Sequence, residues 1–198
     1  MKDQNLYIVK DANFNNNIDK KFFYTEDFKY FLGGFIEGEA SLSISLKKKP
    51  NTRFGYTLDP EFAIYQHVSG IHLLNNAKFL FHSGSVFGAP GAGRKAAKKS
   101  GSDNVFVFRI GNRQTISDKV IPFFRKYVLP FSSKYVWFDD YVYVLDGLSK
   151  KKHLQIDSFI DLIKVSYSLN PSGKGKERKI PLDSICNEIL RDYTPKKK

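Results

Sequence analysis

The chain has 198 residues, 41% of them hydrophobic, which is enough for one substantial core or for a domain with an appended subdomain. Lys and Arg outnumber Asp and Glu by 32 to 20, a formal net charge of +12. That balance points to a polyanionic partner, with nucleic acid ahead of a membrane surface because there is no long basic amphipathic helix. A single cysteine, Cys186, excludes an internal disulfide framework and a multi-thiolate zinc site. With no long apolar run and no signal-peptide core, neither membrane insertion nor signal-directed secretion is expected.

Residues 1 to about 24 are polar with scattered aromatics and read as an N-terminal arm. Thr25 then stands as an N-cap, with Glu26 and Asp27 in the first turn, where the helix dipole favours acids. Apolar residues at 28, 31, 32 and 35 repeat as one face of an amphipathic helix. That helix carries Gly33, Gly34 and Gly38 and closes on Glu37 and Glu39. Glycine costs about 1 kcal/mol in a helix interior relative to alanine, so the three forfeit roughly 3 kcal/mol of local preference. Some contact outside the helix must offset that loss.

From Ala40 the period changes to two. Ser41, Ser43, Ser45 and Lys47 fall on one side of a strand, and Leu42, Ile44 and Leu46 on the other. After a turn at "KKPN", a second alternation runs through Phe54, Tyr56, Leu58, Phe62 and Ile64. Arg53, Thr57, Asp59, Glu61, Ala63 and Tyr65 occupy its other face, and the two strands should pair as a hairpin. A helix follows to Gly84. "SVFG" and "NVFVFRI" then form a second strand pair around a long Gly- and Ala-rich tip. The stretch "RQTISDKVIPFFRKYVL" predicts another helix, with Pro122 as its point of interruption, and further helices are expected around 133 to 148, 153 to 168 and 181 to 193.

The segment "LGGFIEGEA", Leu32 to Ala40, resembles the LAGLIDADG motif of homing endonucleases. Leu32, Gly34 and Ile36 match outright, and Glu37 and Glu39 stand where the family has acids. The departures are Glu for Asp at both acidic positions, Gly33 for Ala and Ala40 for the closing Gly. The order helix, hairpin, helix, hairpin, helix is also that family's core. Through "DPEFAIYQHVSG" and "NRQTISDKVIPF" the likeness extends over roughly residues 28 to 135, toward the single-motif group encoded by group I introns of organellar ribosomal RNA genes. The fold class expected is therefore α+β: an αββαββα core over 25–148 with antiparallel DNA-binding hairpins. It lies between the arm at 1–24 and a helical extension with a basic tail at 149–198.

This resemblance implies a homodimer that cuts both strands of a long, pseudo-palindromic DNA target by metal-dependent phosphodiester hydrolysis, promoting intron mobility. Gly34 and Gly38 share a helix face with Phe31 and Phe35 at the dimer interface, where missing side chains let a second helix approach. By the same resemblance Glu39 is the metal ligand, helped by the Gly38 carbonyl, with Mg²⁺ as cofactor and Mn²⁺ or Ca²⁺ as substitutes in binding. Glu37, about 200° around the helix from Glu39, points elsewhere and reads as a solvated or structural acid. Gln66 matches the family's water-positioning glutamine, and Lys134 stands for its basic residue. The DNA-facing set is Ser43, Ser45, Lys47, Arg53, Thr57, Glu61 and Tyr65 on the first hairpin. The second contributes Arg94, Lys95, Lys98, Lys99, Asn104 and Arg109.

The excess of Lys over Arg, with abundant Phe, Tyr, Asn and Ile, matches AT-rich codons and an organellar setting, chloroplast or mitochondrion. Double-stranded DNA is the expected partner, and no membrane is. Two alternatives stand beside the nuclease: an RNA maturase acting on intron RNA, and a cleavage-inactive DNA-binding protein of the same fold.

Overall fold

Helix α1 (Glu26–Glu39) begins where the Thr25 hydroxyl accepts the Phe28 N–H at 3.3 Å, with Glu26 and Asp27 against the positive end of the helix dipole. It ends abruptly because Ala40 turns to extended backbone at φ −101° while its N–H still reaches the Ile36 carbonyl. The chain thus passes from helix into strand β1 (Ala40–Lys48) with no intervening loop. The computed structural model describes residues 20–88, 104–169 and 180–193.

Strand β1 pairs antiparallel with β2 (Tyr56–His67) in a register running from Ala40 opposite Ile64 to Lys48 opposite Tyr56. Helix α2 (Ile71–Phe81) follows and stops three residues short of Gly84, because His82 takes a left-handed C-cap at φ 46°. Gly84, at φ 87°, then turns the chain into β3 (Ser85–Gly88), where a Cβ would stand 2.7 Å from the Arg109 carbonyl. Strand β4 (Val105–Ile110) pairs with both β3 and β2. The two expected hairpins are therefore one four-stranded sheet in the order β1-β2-β4-β3.

Helix α3, residues 113–131, starts at an Asn112 cap whose side chain accepts the Thr115 N–H at 2.9 Å. Pro122 does not interrupt it. Two wide turns, in which Ile121 N–H reaches the Ile116 carbonyl and Leu129 N–H the Phe124 carbonyl, flank the proline. They provide the slack that its ring and missing N–H require. Helices α4 (Tyr135–Ser149), α5 (Ile156–Ser168) and α6 (Leu182–Tyr193) complete the described chain.

One face of the sheet carries Leu42, Ile44, Leu58, Phe62 and Ile64, all buried, against Leu32 and Ile36 of α1, Phe124 of α3 and Phe138 of α4. Phe62 meets Phe124 edge-on with centroids 5.7 Å apart, and Phe124 stacks on Phe138 at 5.9 Å. Buried apolar residues form a single cluster from Phe23 to Ile189, so the C-terminal helices share the core. None of the described helices is long and apolar enough to cross a membrane.

Candidate active site and nucleic-acid interface

At the C-terminal end of α1, the two glutamates meet opposite environments. Glu37 faces the connection between α3 and α4, where its carboxylate accepts the Ser132 hydroxyl and lies 3.2 Å from the Lys134 ammonium. The same ammonium donates to the Glu37 carbonyl, and Lys134 N–H donates to Ser132 Oγ at 2.9 Å. A cation thereby sits on the negative end of the helix dipole, where the last turn has no basic residue of its own. Glu37 is a structural acid, as its position around the helix predicts, and its partner is the very lysine expected in the site. Ser132 was not anticipated; it stands two residues before Lys134 and carries no motif.

Glu39 is exposed at the helix–strand junction, and its carboxylate has no hydrogen-bond or ion-pair partner among the described residues. Gln66 lies on β2 two residues beyond Ile64, the partner of Ala40, so the register carries it past the end of β1 to the level of the α1 terminus. Its amide oxygen accepts the His67 N–H at 2.7 Å, and its side chain lies over Gly70, where a Cβ would meet Gln66 Cγ at 2.6 Å. Lys134 and Glu39 thus lie at the same end of α1, and Gln66 stands at that level along the sheet. Glu39 and the Gly38 carbonyl are hard oxygen donors and Glu39 is unneutralised, so they fit a divalent cation such as Mg²⁺. No cluster of three metal-binding side chains occurs among the described residues.

The outer face of the sheet carries the residues singled out by alternation. Ser43 is exposed opposite Glu61, Ser45 opposite Asp59 and Lys47 opposite Thr57, while Tyr65 is exposed opposite Val107 of β4. Several are paired with one another. Lys47 lies 2.9 Å from Asp59, whose carboxylate also accepts the Thr57 hydroxyl at 3.3 Å. Arg109 Nε lies 3.0 Å from Glu61 but without a linear N–H···O alignment, and its guanidinium also stands 5.1 Å above the Phe87 ring. Arg53 is displaced from its expected place. The turn runs through Gly55, so Arg53 precedes β2 and stands 5.7 Å from the Phe54 ring instead of on the sheet face. Asn104 is exposed just before β4. Arg94, Lys95, Lys98 and Lys99 lie outside the described residues.

On α1, Phe28, Leu32 and Ile36 face the core, while Phe31 is 56% exposed and Phe35 half-buried. A Cβ on Gly34 or Gly38 would meet nothing within 4 Å, whereas one on Gly33 would stand 2.3 Å from the Tyr127 carbonyl of α3. Gly33 therefore makes the close helix approach within this chain. Gly34 and Gly38 lie with Phe31 and Phe35 on an open stripe.

The LAGLIDADG endonuclease profile matches residues 32–145, from the glycine helix through α4. The chain belongs to the LAGLIDADG endonuclease family. It is 45% identical over 109 residues to DNA endonuclease I-CeuI of Chlamydomonas moewusii, covering 55% of this chain and 45% of that relative. The chain thus spans less than half of I-CeuI in that alignment. It is also 27% identical over 164 residues to homing endonuclease I-ApeII of Aeropyrum pernix, covering 82% of this chain and 90% of that protein. Among solved structures, the group I intron-encoded homing endonuclease I-CeuI complexed with DNA is similar at a TM-score of 0.72 and 29% identity, covering 86% and 82% of the two chains. An archaeal intron-encoded homing endonuclease complexed with DNA follows at 0.70 and 29%, covering 84% and 98%. The four-stranded sheet with its surrounding helices is this LAGLIDADG fold.

Proposed function

We propose that this LAGLIDADG chain is a site-specific, metal-dependent DNA endonuclease that works as a homodimer on a long pseudo-palindromic target, in an organellar ribosomal RNA gene, and so promotes homing of its intron. The observation that carries this reading is the pair of acids on α1. Glu37 is engaged by Ser132 and Lys134, while Glu39 two residues later presents a carboxylate with no partner among the described residues, beside the sheet face. An exposed acid against the negative end of a helix is unfavourable unless a cation joins it.

When bound, Mg²⁺ supplies Lewis acidity to the scissile phosphate and lowers the pKa of an attacking water. Glu39 and the Gly38 carbonyl would hold it. The Gln66 amide orients the water, and Lys134, anchored by Glu37, adds positive charge where negative charge develops on the phosphate. Two copies related by a two-fold axis along the open Phe31, Gly34, Phe35 and Gly38 stripe bring two Glu39 carboxylates together, one for each DNA strand. The sheet face enters the major groove, with Ser43, Ser45, Glu61, Tyr65 and Arg109 toward the base edges.

The decisive experiment offers the purified protein a randomised duplex library and DNA spanning organellar ribosomal RNA insertion sites, with Mg²⁺ or with EDTA. Wild type is expected to cut one sequence on both strands in Mg²⁺ only, and Glu39→Gln to bind that sequence without cutting it. Metal-dependent cutting by pure Glu39→Gln would sink the metal assignment. Binding of DNA or of intron RNA with no cleavage by wild type would favour the inactive binder or the maturase.

A further inference from the structure

Helix α6 lies beyond the matched family region and takes no part in the centre described above. It is docked on the turn joining β1 to β2. Phe54 in that turn is buried, stacked at 5.6 Å on Phe159 of α5 and edge-on at 6.0 Å to Tyr193 of α6. Gly55 turns at φ 69°, where a Cβ would stand 2.8 Å from the Tyr193 hydroxyl, so α6 closes directly over backbone. Glu188 ties both strands at once. One oxygen lies 2.6 Å from Nζ of Lys48, the last residue of β1, and the other accepts the hydroxyl of Tyr56, the first residue of β2, at 2.7 Å. Those two contacts hold the Glu188 carboxyl below its usual range.

The docked turn is far from the chemistry. Strand β1 leaves α1 at Ala40 and has nine residues; eight steps of about 3.3 Å put Lys48 roughly 26 Å from the helix end. That is about eight base pairs of B-form DNA. A hairpin end at this distance carries Lys47 and Thr57 on its outer face, and any sway there changes which base edge each side chain meets.

We propose that α6 is a positioning element, in which Glu188 and Tyr193 brace the β1–β2 end so that Lys47 and Thr57 discriminate the outer base pairs of each half-site. The inference rests on the DNA-cleaving reading above and specifies the region on which α6 acts. Glu188 also neutralises Lys48, limiting sequence-independent attraction to phosphate at the same end.

The test uses full-length wild type, Glu188→Gln and Glu188→Gln/Tyr193→Ala. The probe is the duplex that wild type cuts from a randomised library, together with versions substituted at each base pair. Binding competition, single-turnover cleavage at saturating protein and thermal unfolding are read for each. A wrong base pair roughly eight from the centre should cost wild type about tenfold in affinity but both variants less than about threefold. Penalties near the cut should be unchanged, and the single-turnover rate on the intact probe should stay within about twofold. Should the double variant not fold, Glu188→Gln decides with the same expectation. An unchanged position profile in a folded variant overturns the proposal, as does a uniform loss at all positions that tracks a fall in Tm. If wild type cuts no duplex, the underlying nuclease reading fails and this inference with it.

Discussion

Glu37 and Glu39 are chemically identical and two residues apart, and their neighbours divide their roles. The α3–α4 connection gives Glu37 a hydroxyl and an ammonium, and among the described residues nothing comparable reaches Glu39. Lys134→Met therefore removes both a site charge and the cap on the Glu37 carbonyl. It is expected to lower single-turnover cleavage by about 10² to 10³-fold and stability by about 1 kcal/mol, read by cleavage assay and thermal unfolding. At the other end of α1, Glu26 lies 2.9 Å from both Lys29 and Lys126 and 3.0 Å from the Tyr127 hydroxyl. These partners, Lys29 first, pull its carboxyl from 4.5 to about 2. A depressed carboxyl stabilises the fold fully above its unfolded pKa and loses that contribution as pH falls toward the folded one. Wild type should accordingly lose more stability than Glu26→Gln between the two values, in acid titrations followed by circular dichroism. Added salt should narrow the difference because the cluster is exposed.

At the scale of elements, the glycines of α1 divide by which body they approach. Gly33 touches α3 within the chain, while Gly34 and Gly38 are open. Gly33→Ala must force Tyr127 aside and is expected to destabilise the chain by about 1 to 3 kcal/mol. Gly34→Ala should have the opposite sign in the isolated chain, stabilising α1 by up to about 1 kcal/mol through reduced unfolded-state freedom, while weakening self-association. Thermal unfolding at low protein concentration and sedimentation velocity at high concentration separate the two effects. The helix itself is legible locally, in the Thr25 cap and the spacing of Phe28, Leu32 and Phe35. Which glycine meets which helix is not, because Tyr127 is about ninety residues away in sequence and packing alone brings it near.

For the whole molecule, the net charge of +12 is distributed so that part of the outer sheet face is neutralised internally, by Lys47 with Asp59 and Arg109 with Glu61. On the proposed reading, binding to DNA would exchange these pairs for phosphate and base contacts. Affinity should therefore fall linearly in log–log form with salt, by about 10³-fold or more between roughly 50 and 200 mM monovalent salt for six or more phosphate contacts. Titration by fluorescence anisotropy checks the slope. A flat response would mean that the positive charge serves solubility and not a nucleic-acid partner.

Short-range patterns made the central elements readable from the chain itself. The helical period of α1, the switch to period two at Ala40, the acids at 37 and 39 and Gln66 were visible as spacing and motif, although the core face of α1 runs through Phe28, Leu32 and Ile36 and leaves Phe31 exposed. Each depends on residues that touch neighbours a few positions away, where geometry follows directly from backbone periodicity. Tertiary structure decided the rest. It joined β2 to β4 in one sheet, set Lys134 on Glu37 across the fold and laid α6 over the β1–β2 turn. These contacts link segments separated by long stretches of chain. Such contacts depend on how buried surfaces pack and on how strand register aligns distant residues, and no local spacing encodes either.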